Sequence, residues 1–123
     1  MSGIRFLLDT NIVIGLLKGE LSVLTHLHQH GVSLQQSDYS FIARIELLGY
    51  SGITDLEAEK ITAILGLMRY LPMTLMIEDK VIEIRRQQGL KIPDAIIAAT
   101  AYIHGLTLIT LDQRLERSWA EME

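Results

Sequence analysis

Short apolar segments alternate with longer segments of helical periodicity along this chain. Four of the short segments predict β-strands, because apolar and β-branched residues are bounded there by turn residues. They comprise residues 4–8, 32–39 (the weakest), 73–77 and 106–110. Strands that alternate with helices are typical of a parallel sheet covered by helices on both faces. The pattern therefore predicts an α/β fold.

End signals delimit several of the predicted helices. Gly19 and Gly105 follow the last periodic residue of two helices, and Ser40 is suited to cap the helix that contains FIARIELLGY. Pro72 is predicted to end a helix that begins near residue 55, and Pro93 to lie in the first turn of another. A last helical turn or two is expected after residue 112.

The length and composition favour one domain that spans residues 1–123, with no linker segment. Apolar residues make up 49% of the chain, which favours a sheet covered on both faces, an oligomer interface, or both. The sequence contains no run of about 18 uninterrupted apolar residues, which a membrane span would need. It also contains no small-residue cleavage site of the kind that follows a signal peptide. There are no cysteines. We therefore expect a cytoplasmic protein without membrane association, whose chemistry uses oxygen or histidine ligands.

Four of the 15 acidic residues do not fit a solvated helix face. Asp9 directly follows the first predicted strand, and Asp112 closely follows the last one. Asp94 begins an alanine-rich helix, and Glu46 is crowded by apolar neighbours within its helix. Taken singly, the three aspartates are explained as helix caps or dipole partners, and Glu46 as a partly exposed side chain paired with Arg44 or Tyr50.

Capping does not explain why Asp9 and Asp112 both fall at the carboxyl edge of a parallel sheet, where ligands bind. Two carboxylates about 4 Å apart repel by roughly 4 kcal/mol at an effective dielectric constant of about 20. Several carboxylates therefore converge only if some are protonated or a cation is present. Oxygen ligands without sulfur favour Mg²⁺ or Mn²⁺.

Four segments of the chain resemble the signature segments of PIN-domain ribonucleases, specifically the VapC toxins of type II toxin-antitoxin systems. The segments are LLDTNIVIGLLKG, SFIARIELLGY, IPDAIIAATAYIHGLTLIT and TLDQRL, and they occur in the family's order over nearly the whole chain. The resemblance implies a PIN-like domain with a central parallel sheet of four or five strands.

The same resemblance places the acidic quartet of the family on Asp9, Glu46, Asp94 and Asp112. It implies that these residues bind the metal, directly or through water, with Asp112 as a direct or an indirect ligand. The family's small hydroxyl residue corresponds to Thr110, expected to orient a water or Asp112. Thr10 corresponds to the polar residue after the first acid, and Asn11 is expected to support that loop and the substrate.

The implied reaction is Mg²⁺-dependent or Mn²⁺-dependent endonucleolytic hydrolysis of RNA, leaving a 5′-phosphate and a 3′-hydroxyl. The implied partners are an RNA substrate, a cognate antitoxin protein and a second copy of the chain in a homodimer. The net charge of −4 argues against general nucleic-acid binding. A basic rim that includes Arg85 and Arg86 is one predicted path for RNA towards Asp94, and an ordinary solvated helix face is the alternative.

Other α/β classes with an aspartate after the first strand fit less well. A haloacid-dehalogenase-type phosphatase needs a second aspartate where this chain has Asn11. A response-regulator receiver needs an adjacent acidic pair and a late lysine, and LITLDQ contains neither. The main alternative is a PIN-domain RNA-processing or RNA-binding subunit without a toxin role.

Overall fold

The computed structural model describes residues 3–122. Within that range the chain forms four β-strands and seven α-helices. The strands are β1 (Phe6–Leu8), β2 (Ser37–Ser40), β3 (Arg69–Leu71) and β4 (Thr107–Ile109). The helices are α1 (Thr10–Lys18), α2 (Leu21–Gln29), α3 (Phe41–Leu48), α4 (Asp55–Leu65), α5 (Leu75–Gln88), α6 (Ile92–His104) and α7 (Gln113–Ala120). None of these helices combines the length and the apolar character that a membrane span requires.

The four strands form one sheet in the order β3-β2-β1-β4. All three strand pairs are parallel, with Leu7 of β1 opposite Asp38 of β2 on one side and Leu108 of β4 on the other. The predicted α/β fold with a parallel sheet is therefore confirmed, with four strands in the described part of the chain.

Helices cover both faces of the sheet. Leu7 packs into an apolar cluster with α5, α6 and α7, whereas Phe6 and Leu8 pack into a second cluster with α1 to α4. Successive side chains of a strand point to opposite faces, so three consecutive apolar residues of β1 serve both clusters. This arrangement explains why the first strand is a continuous apolar run.

The third strand differs from the prediction. Residues 73–77 do not form a strand: the Thr74 hydroxyl accepts a hydrogen bond from the Ile77 N–H at 3.2 Å and caps α5, which begins at Leu75. The preceding helix ends at Leu65, well before Pro72, and β3 lies between them. Because β3 is a short edge strand with two exposed residues, it lacks the apolar run that marks a buried strand.

A buried ion-pair cluster joins the strands at their opposite, amino-terminal side. Asp38 is fully buried in β2 and accepts hydrogen bonds from Arg5, before β1, and from Arg69, the first residue of β3. The Arg69 Nη2 to Asp38 Oδ2 distance is 2.6 Å. The hydrogen bonds to Asp38 raise the pKa of the Arg5 guanidinium. Asp38 therefore ties together three of the four strands.

We predict that Asp38→Ala lowers the free energy of unfolding by about 3 kcal/mol, because two partly desolvated guanidinium groups lose their shared counter-charge. Urea denaturation monitored by circular dichroism measures the change. Asp79→Ala, which removes an exposed aspartate of α5, serves as the control and should stay within about 0.5 kcal/mol of the wild type. A loss below about 1 kcal/mol for Asp38→Ala would contradict a supporting role for this cluster.

Candidate active site

The candidate site lies at the carboxyl edge of the sheet, where β1 and β4 end side by side. Leu8 is opposite Ile109 in the register of the two strands. The backbone N–H of Asp9 donates to the Ile109 carbonyl at 3.0 Å, so the strand pairing continues one residue beyond β1. Asp9 and Thr110, which follow these strands, are therefore brought together across about a hundred residues of chain.

Asp9 is buried, with only 7% of its surface exposed. Its Oδ1 accepts the Thr10 N–H at 2.8 Å, and its Oδ2 accepts the Thr110 hydroxyl at 2.8 Å. The helix-cap interpretation is thus correct as far as it goes, because Asp9 is the N-cap of α1. Burial nevertheless raises the pKa of Asp9; Thr110 and Thr10 lower it, and the charges of Asp94 and Asp112 raise it further.

Glu46 reaches this edge from α3. Ser40, the last residue of β2, caps that helix by accepting the Ala43 N–H at 3.4 Å, so α3 begins at the carboxyl edge of the sheet. The Thr10 hydroxyl donates to Glu46 Oε1 at 2.7 Å. The expected crowding of Glu46 by apolar neighbours is wrong, since the residue is exposed on a helix whose apolar side packs elsewhere. Its hydrogen-bond partner in the structure is Thr10.

Asp94 lies in the first turn of α6, directly after Pro93. Burial raises the pKa of the half-buried Asp94 carboxyl, and the negative charges of Asp112 and Glu46 raise it further. The cations of Arg114 and Lys91 act in the opposite direction but do not cancel this effect. Asp94 is therefore held among like charges without full compensation.

Asp112 caps the last helix. Its Oδ1 accepts the backbone N–H groups of Arg114 at 3.0 Å and Leu115 at 3.1 Å, and its own N–H donates to Thr110 Oγ1 at 3.0 Å. Thr110 consequently contacts both the Asp9 carboxylate and the backbone of Asp112. The orienting role of Thr110 stays a prediction, and these two contacts are the ones through which it would act.

The four carboxylates thus interact electrostatically at one edge of the sheet. Within residues 3–122, however, no three acidic or histidine side chains stand in an arrangement that could already hold a metal ion. Three of the four are held by protein donors instead: Asp9 by Thr110 and Thr10, Glu46 by Thr10, and Asp112 by α7. The donor set still fits a hard divalent cation, because it consists of oxygen atoms and carries uncompensated negative charge.

The predicted basic rim lies elsewhere. Arg85 and Arg86 line a cavity of about 500 Å³ together with Ile92 and Ile96 of α6. Asp94 is two residues from each isoleucine and therefore points to the opposite side of that helix. The structure thus does not place these arginines beside Asp94, and Arg85 instead donates to the Leu90 carbonyl at 3.0 Å.

Asn11 is exposed in the first turn of α1, next to the site. The cation that the sequence analysis missed is Arg114, which acts on Asp94 from the first turn of α7. Its position two residues after Asp112 was the available signal. Lys91, the N-cap residue of α6, acts on Asp94 in the same way.

Comparison with known proteins supports the resemblance. The family model of the PIN domain matches residues 39–118. A chain of a toxin-antitoxin complex from Klebsiella pneumoniae is 30% identical, with a TM-score of 0.74 over 86% of this chain and 85% of that chain. FitAcB from Neisseria gonorrhoeae is 26% identical, with a TM-score of 0.75 over 94% of both chains.

A third structure, DNA-bound VapBC from Salmonella typhimurium, shares the fold at 19% identity and a TM-score of 0.78, over 94% of this chain and 92% of that chain. A search of curated proteins found no match. The family model covers well over half of the chain, and the first structural relative covers most of it. The resemblance seen in the four sequence segments is therefore confirmed, and the chain belongs to the PIN domain family.

Proposed function

We propose that this protein is a Mg²⁺-dependent or Mn²⁺-dependent endoribonuclease and acts as the toxin of a type II toxin-antitoxin pair. One observation carries the proposal: burial and neighbouring carboxylates raise the pKa of both Asp9 and Asp94 at the carboxyl edge of the sheet. A cluster of this kind is costly unless a cation binds to it. Perturbed acids at a sheet edge are also typical of functional sites.

Asp9 and Asp94 are the proposed direct ligands, and Glu46 and Asp112 contribute directly or through water. When bound, the divalent cation lowers the pKa of a water molecule and neutralises negative charge that develops on the phosphate. The protein itself fixes the carboxylate oxygen atoms of the ligands before the cation binds. The Thr110 hydroxyl and the Thr10 N–H each hold one oxygen of Asp9, and the Thr10 hydroxyl holds one oxygen of Glu46.

Thr10 and Thr110 are therefore positioning residues in this proposal. Each carboxylate oxygen that accepts one hydrogen bond keeps a further lone pair for a cation. The first turns of α1, α6 and α7 also converge on the cluster, and their N-terminal dipoles favour the ionised carboxylates. The ligands are thereby oriented before substrate arrives.

The relative from Klebsiella supports the toxin assignment, since it is a chain of a toxin-antitoxin complex. We extend this relationship to the present chain and propose a cognate antitoxin protein as its partner in the cytoplasm. A homodimer is also proposed, and the exposed side chains of Leu75, Met76 and Ile92 offer apolar surface for it.

We predict that Asp94→Ala reduces RNA cleavage in the presence of Mn²⁺ at least a hundredfold, because the variant removes a proposed ligand of the cation. Asp9→Ala should have the same effect. Purified proteins are incubated with total RNA, and the product ends are mapped by ligation that requires a 5′-phosphate. Asp79→Ala is the control, because it removes an exposed acid outside the cluster. Undiminished cleavage by Asp94→Ala would refute the site.

Expression of the chain should arrest growth, and Asp94→Ala should relieve the arrest at equal protein level. This comparison separates a toxin from an RNA-processing subunit, because a processing subunit would cleave RNA in vitro without stopping growth. A small DNA-binding protein encoded next to this gene should restore growth when it is co-expressed with the wild type.

We predict that Asp94→Asn raises the melting temperature of the metal-free protein at pH 7 by roughly 2–4 °C. Burial and the charges of Asp112 and Glu46 raise the pKa of Asp94 in the folded state above its ordinary value of 3.8, so ionisation opposes folding. The contribution of Asp94 to the free energy of unfolding is most favourable below pH 3.8, where the carboxyl is protonated. This contribution is lost as the pH rises through the raised pKa, and it stays lost at pH 7. The two melting curves should therefore converge as the pH falls.

Mn²⁺ provides the second half of this test. It should raise the melting temperature of the wild type, because it binds only the folded cluster, and it should leave Asp94→Asn nearly unchanged. Asp79→Asn should follow the wild type in both conditions. A metal-free Asp94→Asn protein that melts below the wild type at pH 7 would show that Asp94 stabilises the fold, contrary to the prediction.

A further inference from the structure

A second cavity opens beside the acidic cluster, between α1, α3 and α4. Its volume is about 430 Å³, within the roughly 300–1,000 Å³ typical of small-ligand pockets. Ile14 and Leu17 of α1 form one wall, and Leu47 of α3 and Ile61 of α4 form the other. Glu46 lines the same cavity, so the cavity and the acidic cluster share this residue and lie next to each other.

The rim of this cavity carries two lysines. Lys18 ends α1 and Lys60 lies on α4, and both are exposed. Within residues 3–122 neither lysine has an acidic side chain within salt-bridge distance, whereas Lys80 pairs with Glu83 and both Arg5 and Arg69 pair with Asp38. Neither ammonium group is held in a salt bridge in the described part of the chain, so each can contact a phosphate.

The two carboxylates of the cavity are already engaged. Glu46 accepts the Thr10 hydroxyl, and Glu57 accepts both the backbone N–H of Thr54 at 2.9 Å and its hydroxyl at 3.0 Å. Glu57 belongs to the capping box of α4, which fixes its direction. The carboxylates are therefore held by the protein's own donors, and Lys60 is near enough to Glu57 to help lower the pKa of its carboxyl, after the hydrogen bonds to that group.

Tyr50 supplies an aromatic ring at the same rim. It follows α3, and 44% of its surface is exposed, although it lines the cavity. Bases of single-stranded nucleic acid stack on exposed aromatic rings, and their phosphates are contacted by lysines along the same groove. The cavity thus offers such a nucleotide an aliphatic wall and an aromatic ring for its base, and two exposed lysines for its phosphates.

We propose that this cavity is a nucleotide subsite of the RNA strand, next to the scissile phosphate. The base lies against Tyr50 and the aliphatic walls, and Lys18 and Lys60 contact the flanking phosphates. The inference rests on the proposed ribonuclease function and extends it, because it names the residues that select the base at one position beside the cleaved bond. RNA is favoured over a protein segment by the two exposed lysines and by Glu46, which the cavity shares with the acidic cluster.

The first test measures binding without cleavage. A fluorescein-labelled pool of randomised RNA decamers is titrated with each protein in EDTA at several salt concentrations, and anisotropy reports binding. Lys18→Ala and Lys60→Ala should each flatten the plot of log affinity against log salt by about 0.7, the value for one phosphate contact on a single strand. Arg44→Ala removes an exposed cation two residues from Glu46, on another side of α3, and should leave the slope unchanged.

The second test concerns the base. Cleavage of the same pool in Mn²⁺ is read by sequencing of the products, and the wild type should prefer certain bases at one position beside the cleaved bond. Tyr50→Ala should reduce that preference and raise KM about tenfold, with kcat within about twofold. Tyr50→Phe keeps the ring and should retain both properties.

The outcomes separate this inference from the proposed function. If the wild type binds RNA with the expected salt dependence but does not cleave it with Mg²⁺ or Mn²⁺, the proposed subsite stands and the proposed nuclease activity is rejected. Cleavage that is indifferent to Lys18, Lys60 and Tyr50, or no RNA binding by the wild type, would reject the subsite. If the variants bind RNA normally but lose affinity for the protein encoded by the adjacent gene, the cavity is a protein-docking site and the inference is wrong.

Discussion

The parallel pairing of β1 with both of its neighbours is the constraint on which the site depends. Because β1 runs parallel to β2 and β4, all three strands end at one edge of the sheet. The helices that follow them, α1, α3 and α7, begin at that edge, and α6, which leads into β4, must start there to return the chain. Four helix N-termini and their four acidic side chains are therefore brought to the same edge of the sheet.

This concentration of negative charge is only partly offset by the protein. Asp9 and Asp112 cap helices, and Asp94 lies in a first turn, so each receives N–H groups or a favourable dipole. The hydrogen bonds from Thr110 and Thr10 also favour ionised Asp9. The pKa values of Asp9 and Asp94 are raised all the same, since burial and mutual repulsion exceed these contributions. Capping and ligand binding are thus compatible roles for the same carboxylates.

Most of the fold and the acidic edge could be predicted from the sequence because the signals are local. The apolar run before Asp9, Ser40 at a helix start and Gly105 after a helix end each act within a few residues. The strand β3 could not be predicted in this way. Only Leu71 of its three residues is buried, so edge pairing with β2, and not hydrophobic periodicity, determines its conformation.

Contacts between residues far apart in the sequence could not be predicted either. Nothing around Asp38 distinguishes it from a surface aspartate until the pairing of β1, β2 and β3 brings Arg5 and Arg69 to it. The same holds for Thr10 and Glu46, since their hydrogen bond joins elements that are 36 positions apart. Sequence patterns predicted which residues form the candidate site, whereas the tertiary fold decided how each is held.

Asp38 and Asp9 show why burial alone does not identify a functional carboxylate. Asp38 is the more deeply buried of the two, yet two guanidinium groups balance its charge. Asp9 directly follows the neighbouring strand and has neutral donors only, and within residues 3–122 no lysine or arginine forms an ion pair with it. Asp38 is therefore surrounded by two arginines, whereas Asp9 lies near further acidic residues. Asp9 combines burial with a missing counter-charge, and that combination favours a cation at this edge of the sheet.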